Sequence, residues 1–421
     1  MSANRWPIRL RQSILWFAIS VTTLTTTGCW DNHELEDLAF IDAIGVDEGP
    51  HENFEITYEI MNASTEAAIQ GKRTSAGRPV YATVIAKNGI EGRVYTNVSS
   101  DRLMTNSQEK ILILGEKLLR KPHSLNLIEM LVREREFRRD LFVITSLDQV
   151  DSVLRSNDSK LATLPDRYLE NMRRQHQFTA TIPNSSLNDF LVAHEVGDWL
   201  PVMPLIGLQP KQSTLNDTVS REEMLPGRIP IRGGVNKIQM LGAEVFNYKG
   251  LATGRLSGPE VQIYLTMLGH VQTFIYSLPA HAATDTVMLL RQDVQPMVHA
   301  KMQRGHLVFD VDIPFIATLL ATNTTTDIVL NATETKQLER EVDKVLSQQT
   351  MALFKRTKKE FHGDLFQLSH NIKWRFLTED AWRQFNWPKR YMSARLHVHY
   401  HVRITTFGKQ RTPFRTLSGV K

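Results

Sequence analysis

One cysteine stands in this 421-residue chain, Cys29, at the end of Leu24-Thr25-Thr26-Thr27-Gly28-Cys29. A thiol is the nucleophile that lipid attachment requires, and small residues before it leave room for the processing enzymes. Its flanks fit export. Arg5, Arg9 and Arg11 precede it with no acidic residue, and an apolar run from Ile14 to Val21 follows them. A basic segment, a short apolar segment and small residues before a cut are the parts of an export signal. Thr26 stands where bacterial lipid-attachment signals usually carry Leu. The apolar run is short and hydroxyl-rich for a span, which needs roughly 20 apolar residues. The expectation is a cleaved lipoprotein signal peptide over 1–28 and a diacylglyceryl group on Cys29, rather than a buried structural thiol or an uncleaved anchor.

Other residues invite chemistry and lack a complete constellation. His397, His399 and His401 alternate with Val398, Tyr400 and Val402. On a strand these imidazoles share one face about 7 Å apart, and such a set can bind zinc. Arg395 and Arg403 continue the face and no carboxylate is adjacent, so it reads as a solvated face. His33-Glu34 and His194-Glu195 open like zinc-protease helices, without a second His four residues after the first. Gly254-Arg255-Leu256-Ser257-Gly258 misses the spacing of a serine nucleophile elbow. No Walker A loop or dinucleotide-binding glycine pattern occurs. Lys355-Arg356-Thr357-Lys358-Lys359 reads as the solvated side of a helix, with contact to anionic lipid as its other use. Trp374, Trp382 and Trp387 read as core rather than as a partner patch. The chain is expected to have no catalytic residue, cofactor or metal, and not to be an enzyme.

Composition frames the elements that would carry these residues. Of 50 basic residues, Arg5, Arg9 and Arg11 leave with the signal, so 47 face 45 acidic ones. A mature net charge near +2 makes the pI of 9.1 a poor argument for nucleic-acid binding. An exported chain without a cysteine pair must be held by packing.

Phe40–Asp47 and Phe54–Ile60 read as a hairpin, preceded by a short helix through Leu35 and Leu38. Strands are predicted near 80–86, 110–115, 141–145 and 201–208. Helices are predicted near 88–104, 125–132, 150–154, 164–172 and 187–194. Alternation of this kind argues for a mixed α/β first region. A hairpin at 238–256, a helix from Pro259 to Leu268 capped by Ser257, and a strand from Leu307 to Phe315 follow. Residues 334–361 form the most regular helical stripe, and a second helix is predicted over 364–374. A closing strand runs over 394–406. The fold class is α+β or mixed α/β, multi-domain, built on mixed sheets with packed helices. The expected divisions are 1–28, an N-terminal region 29–209, a linker 210–237, a C-terminal region 238–411 and a basic tail 412–421.

Five segments in order resemble one family. Gly28-Cys29-Trp30-Asp31 with Ile44-Gly45-Val46-Asp47, then Lys110 to Leu118, Gly242 to Phe246 with Gly250-Leu251, Lys359 to Phe366, and Trp382 to Pro388 are similar to the Ger(x)C or GerAC lipoproteins of bacterial spore germinant receptors. Asn32-His33 stands where Arg or Lys is common in that family. The resemblance implies a three-domain α/β lipoprotein on the outer face of the spore inner membrane. Its implied partners are the integral-membrane A and B subunits of a nutrient receptor, with no nucleic acid. It carries over no catalytic residue. The alternative is a surface-anchored solute-binding lipoprotein that captures a small ligand itself.

Overall fold

The computed structural model describes residues 8–25, 34, 37–61, 79–158, 161, 165–210, 219–220, 223–231, 233, 236–278, 286–322 and 331–408. A helix, α1 (Ile8–Thr25), precedes everything else and leaves Ile14, Leu15, Trp16 and Phe17 exposed. No described helix is long and apolar enough to cross a membrane.

The first sheet grows outward from runs that are apolar on both faces. β1 (Leu38–Glu48), β5 (Ile111–Gly115), β6 (Phe142–Ser146) and β7 (Val202–Leu208) are parallel neighbours in that order. Parallel strands covered by helices on both sides need such continuous apolar sequence. β2 (Phe54–Ile60) and β3 (Val80–Ala86) add antiparallel strands beside β1, and β4 (Leu103–Thr105) pairs with its first residues. β8 (Ile238–Phe246) and β9 (Ala252–Leu256) add antiparallel strands beside β7. Residues 209–237 therefore connect two strands of one sheet.

The strand alternation sorts the side chains between two cores. Leu112 and Leu114 join Leu127, Ile128 and Leu131 of α4 (His123–Arg133) and Leu187 and Phe190 of α7 (Leu187–Val196). The short α3 (Glu116–Leu119) adds Leu118 and Leu119 on that side. Ile111 and Ile113 join Val150, Val153 and Leu154 of α5 (Val150–Ser156) and Leu169 of α6 (Pro165–Thr179). Gly45 permits this second packing, because a Cβ there would stand 2.3 Å from Val150 Cγ1 and 2.9 Å from Leu154 Cδ1. Gly45→Ala is expected to lower stability by about 1–3 kcal/mol through overpacking, read from the urea midpoint.

The second sheet holds β10 (Thr273–Ser277), β11 (Thr286–Arg291), β12 (Met297–Gln303), β13 (His306–Thr322) and β14 (Arg395–Phe407). β13 is its spine. It pairs antiparallel with β11 and β12 and parallel with β14. Leu307, Phe309, Val311, Ile313 and Phe315 point into one core with the even-numbered residues Leu396 to Ile404. α8 (Gly258–Leu268), α9 (Ala332–Arg356), α11 (Glu379–Phe385) and α12 (Trp387–Ser393) fill that core. Ser257 starts α8 as expected, its N–H donating to Glu260 Oε2 at 2.9 Å. α9 also reaches the edge of β14. The Val402 N–H donates to Asp343 Oδ1 at 2.8 Å and the Ile404 N–H to Glu339 Oε1 at 2.7 Å.

Several expectations change. Leu38 belongs to β1 rather than to a helix, while Leu35 lies outside the described residues. The helix at 88–104 is only α2 (Gly89–Asn97), and its stripe Ile90, Val94 and Val98 faces outward. The long helix stops at Arg356 and widens into a π turn, Thr357–Phe361, closed by His362 at φ 55. The helix over 364–374 is reduced to α10 (His370–Lys373). The reason is local: the buried Asp364 carboxylate takes the Ser369 N–H at 2.9 Å, and Gln367 adopts φ 55. Residues 412–421 lie outside the described residues.

Candidate functional site: a clasp and a polar cleft

Cys29 and His33 lie outside the described residues, and Glu34 is exposed. The three histidines of β14 do share an exposed face. Their isolation from carboxylates does not hold. The parallel register sets β13 beside them, and Asp310 Oδ1 lies 2.8 Å from His397 Nδ1 while Asp312 Oδ1 lies 2.9 Å from His401 Nε2. Lys301 on β12 also pairs with Asp310, at 2.6 Å. Lys301 and His397 hold Asp310 below the usual carboxylate range. Among the described residues, no group of three or more His, Cys, Asp or Glu is placed to hold a metal.

Other flagged residues are absorbed by structure. His194 stacks on Phe190 within α7, with ring centroids 6.4 Å apart. Gly254 to Leu256 are strand residues. The basic stretch is only partly solvated. Arg356 bonds Glu260 and Glu360, and Lys358 reaches the Ala394 carbonyl and lies over the Phe354 ring. The tryptophans divide: Trp382 and Trp387 are 3% and 1% exposed, whereas Trp374 is 74% exposed.

The two buried indoles belong to a clasp between the sheets. α7 ends at Gly197 in the left-handed conformation, which turns the chain so that Asp198 faces the second core. Asp198 Oδ1 accepts the Trp382 indole N–H at 2.8 Å, and Oδ2 accepts Lys373 Nζ at 2.9 Å. The Asp198 carbonyl accepts the Trp387 indole N–H at 2.8 Å. Two residues on, the Leu200 N–H donates to the Asp364 carbonyl at 2.8 Å. The Asp364 N–H donates to the Tyr248 hydroxyl at 3.0 Å. Burial pushes the Asp364 carboxyl up to about 7, against the backbone N–H groups of Ser369, Leu368 and Phe366 that favour its charge.

Beside the clasp lies a cleft of about 640 Å³ between α6 and α7 on one side and α8 and the segment 269–272 that follows it on the other. Trp199 stands at one wall, edge-on to His370 at 4.6 Å. His176, His270, Gln272, Asn188 and Gln367 supply polar groups. The walls are tied together: the Gln272 N–H donates to the Gln177 carbonyl at 3.3 Å, and Gln262 Nε2 to the Thr179 carbonyl at 3.1 Å. Burial first, then the neighbouring His176, holds His270 below the usual imidazole range. The sequence reading named none of these lining residues. Amides and lone histidines on unrelated elements carry no spacing signal.

Fold and site thus define a two-sheet α+β protein whose halves are clasped beside a polar cleft. The family model described as spore germination protein N-terminal domain matches residues 31–208, and the one described as spore germination B3/GerAC like, C-terminal matches residues 241–408. The chain belongs to this GerAC family of spore germination proteins. It is similar to spore germination protein KC of Bacillus subtilis (strain 168), with 24% identity over 91% of this chain and 92% of that protein. Similarity to spore germination protein B3 of the same organism is 19% over 94% and 97%. The crystal structure of the GerBC protein shares the fold, with a TM-score of 0.53 at 12% identity over 86% of this chain and 96% of that one.

Proposed function

We propose that this chain is a lipid-anchored, non-enzymatic subunit of a nutrient germinant receptor that acts in spore germination by assembling with integral-membrane subunits. The observation that carries this reading is the match of both family models, in order, over most of the chain. The names of the relatives, spore germination proteins KC and B3, support the process. Cys29 supplies the anchor, and removal of 1–28 takes away the helix α1 with its exposed apolar residues. Two acyl chains hold a body stably at a membrane surface where one does not. The tether raises the local concentration of the partner subunits, so modest direct interfaces suffice. The body would sit on the outer face of the spore inner membrane, and the divisions 29–209 and 238–411 would act as its two working regions.

Cys29→Ala is expected to move the protein from the membrane to the soluble fraction or to stop its processing. Unchanged fractionation would remove the anchor. Affinity capture of the wild-type chain from spore membranes is expected to bring down two polytopic subunits. Recovery of the chain without them would sink the assembly reading.

A further inference from the structure

We propose that the cleft between α6, α7 and α8 is a binding site for a small neutral polyhydroxyl compound, of monosaccharide or cyclitol size. The volume of about 640 Å³ falls in the range of ligand sites, roughly 300–1,000 Å³, and lies between two packed bodies, where such sites concentrate.

The lining selects the chemistry. Among the described residues, no Lys, Arg or Glu borders the cleft. An anion leaving water there would find no cation to pair with it, and burial of an unpaired charge is costly. The one carboxylate among the described lining residues, Asp189, is already committed at the start of α7, where its Oδ2 accepts the Ser186 N–H at 2.9 Å and hydroxyl at 2.8 Å. A purely apolar ligand would cover Asn188, Gln272 and Gln367 without replacing their bonds to water. Hydroxyl groups both donate and accept, and so match side-chain amides and imidazole nitrogens. Trp199 adds an aromatic surface for the C–H face of a ring.

One wall residue is held in a costly conformation. Gln367 has φ 55, a region that L side chains rarely adopt. It lines the cleft together with the buried Tyr264. The site does not depend on the anchor at Cys29, so the two readings fail separately.

The test is calorimetric titration of the full chain in detergent with galactose, myo-inositol and erythritol, beside glutamate, putrescine and galactose 6-phosphate. At least one neutral polyol is expected to bind with Kd on the order of 10⁻⁴ M, or about −5.5 kcal/mol. The three charged probes are expected to bind at least ten-fold more weakly. Trp199→Ala and Gln272→Ala are each expected to weaken the polyol ten-fold or more. Gln272 is exposed, so its variant keeps the test open if the tryptophan variant fails to fold. Three results would each overturn the proposal: no heat from any polyol at 20 mM, tighter binding of a charged probe, or polyol binding unchanged in Gln272→Ala.

Discussion

Trp387→Ala is expected to cost about 3–5 kcal/mol of stability, the range for removing a fully buried large aromatic side chain. Its ring stands edge-on to Phe309 at 6.1 Å and to Tyr391 at 5.7 Å, and stacks beside Trp382 at 6.0 Å. Its N–H is also a bond between the two halves, ending on the Asp198 carbonyl. Alanine therefore opens a cavity in the second core and leaves that buried carbonyl without its indole partner. Trp374→Ala is the control. That side chain is 74% exposed and its N–H reaches only the Asn371 carbonyl of the adjoining α10, so a change within about 0.5 kcal/mol is expected. Urea unfolding followed by circular dichroism compares the two. Equal losses would contradict the division of the tryptophans into core and surface.

The second large effect concerns Glu244 on β8. Its side chain is wholly buried, and neither carboxylate oxygen has a hydrogen-bond partner of good geometry. Arg255 Nε stands 3.6 Å away and Arg120 4.0 Å, but Glu116 takes the closer contacts of both. Burial first, then the Glu116 charge, pushes the Glu244 carboxyl up to about 8. An unfolded glutamate titrates near 4.3. Between those values the folded chain keeps a proton that the unfolded chain has released. The contribution of Glu244 to stability is thus fully present below the unfolded value and is lost as pH rises through about 8. Glu244→Gln keeps the shape and removes the titration. It is expected to be more stable than wild type at pH 9 by on the order of 2–4 kcal/mol, with little difference at pH 4. Melting temperatures from pH 4 to 9 check this; parallel profiles for the two proteins would refute it.

The sequence was most readable where local pattern and final burial coincide. Ile111 to Leu114 form an unbroken apolar run and become a strand buried on both faces. The 238–256 hairpin and the stripe through Leu338, Val342, Leu346 and Leu353 were equally plain. β10 and β11 went unnamed although they bury Phe274, Tyr276, Met288 and Leu290, whereas β12 was missed for a physical reason. β12 reads Met-Val-His-Ala-Lys-Met-Gln and buries none of these side chains, so its strand state comes from pairing with β13 rather than from its own pattern. The period of α2 was right and its burial wrong, because periodicity reports a stripe and not what covers it. The Asp310 and Asp312 partners of the β14 histidines lie 87 and 89 residues away in sequence, and only the register of a parallel pair brings them together. The cleft was invisible for the same reason, since its walls come from segments some 80 to 190 residues apart.

The pairing of Asp343 and Glu339 with the β14 backbone has a consequence for recognition. An outer strand with open N–H groups is a template on which another chain can build. Here Val402 and Ile404 have already spent those donors on side chains of their own molecule. A newcomer aligning there would have to displace two carboxylates held by a 25-residue helix. Along that part of the sheet, self-association by strand addition is blocked, and any partner must be recognised through side chains.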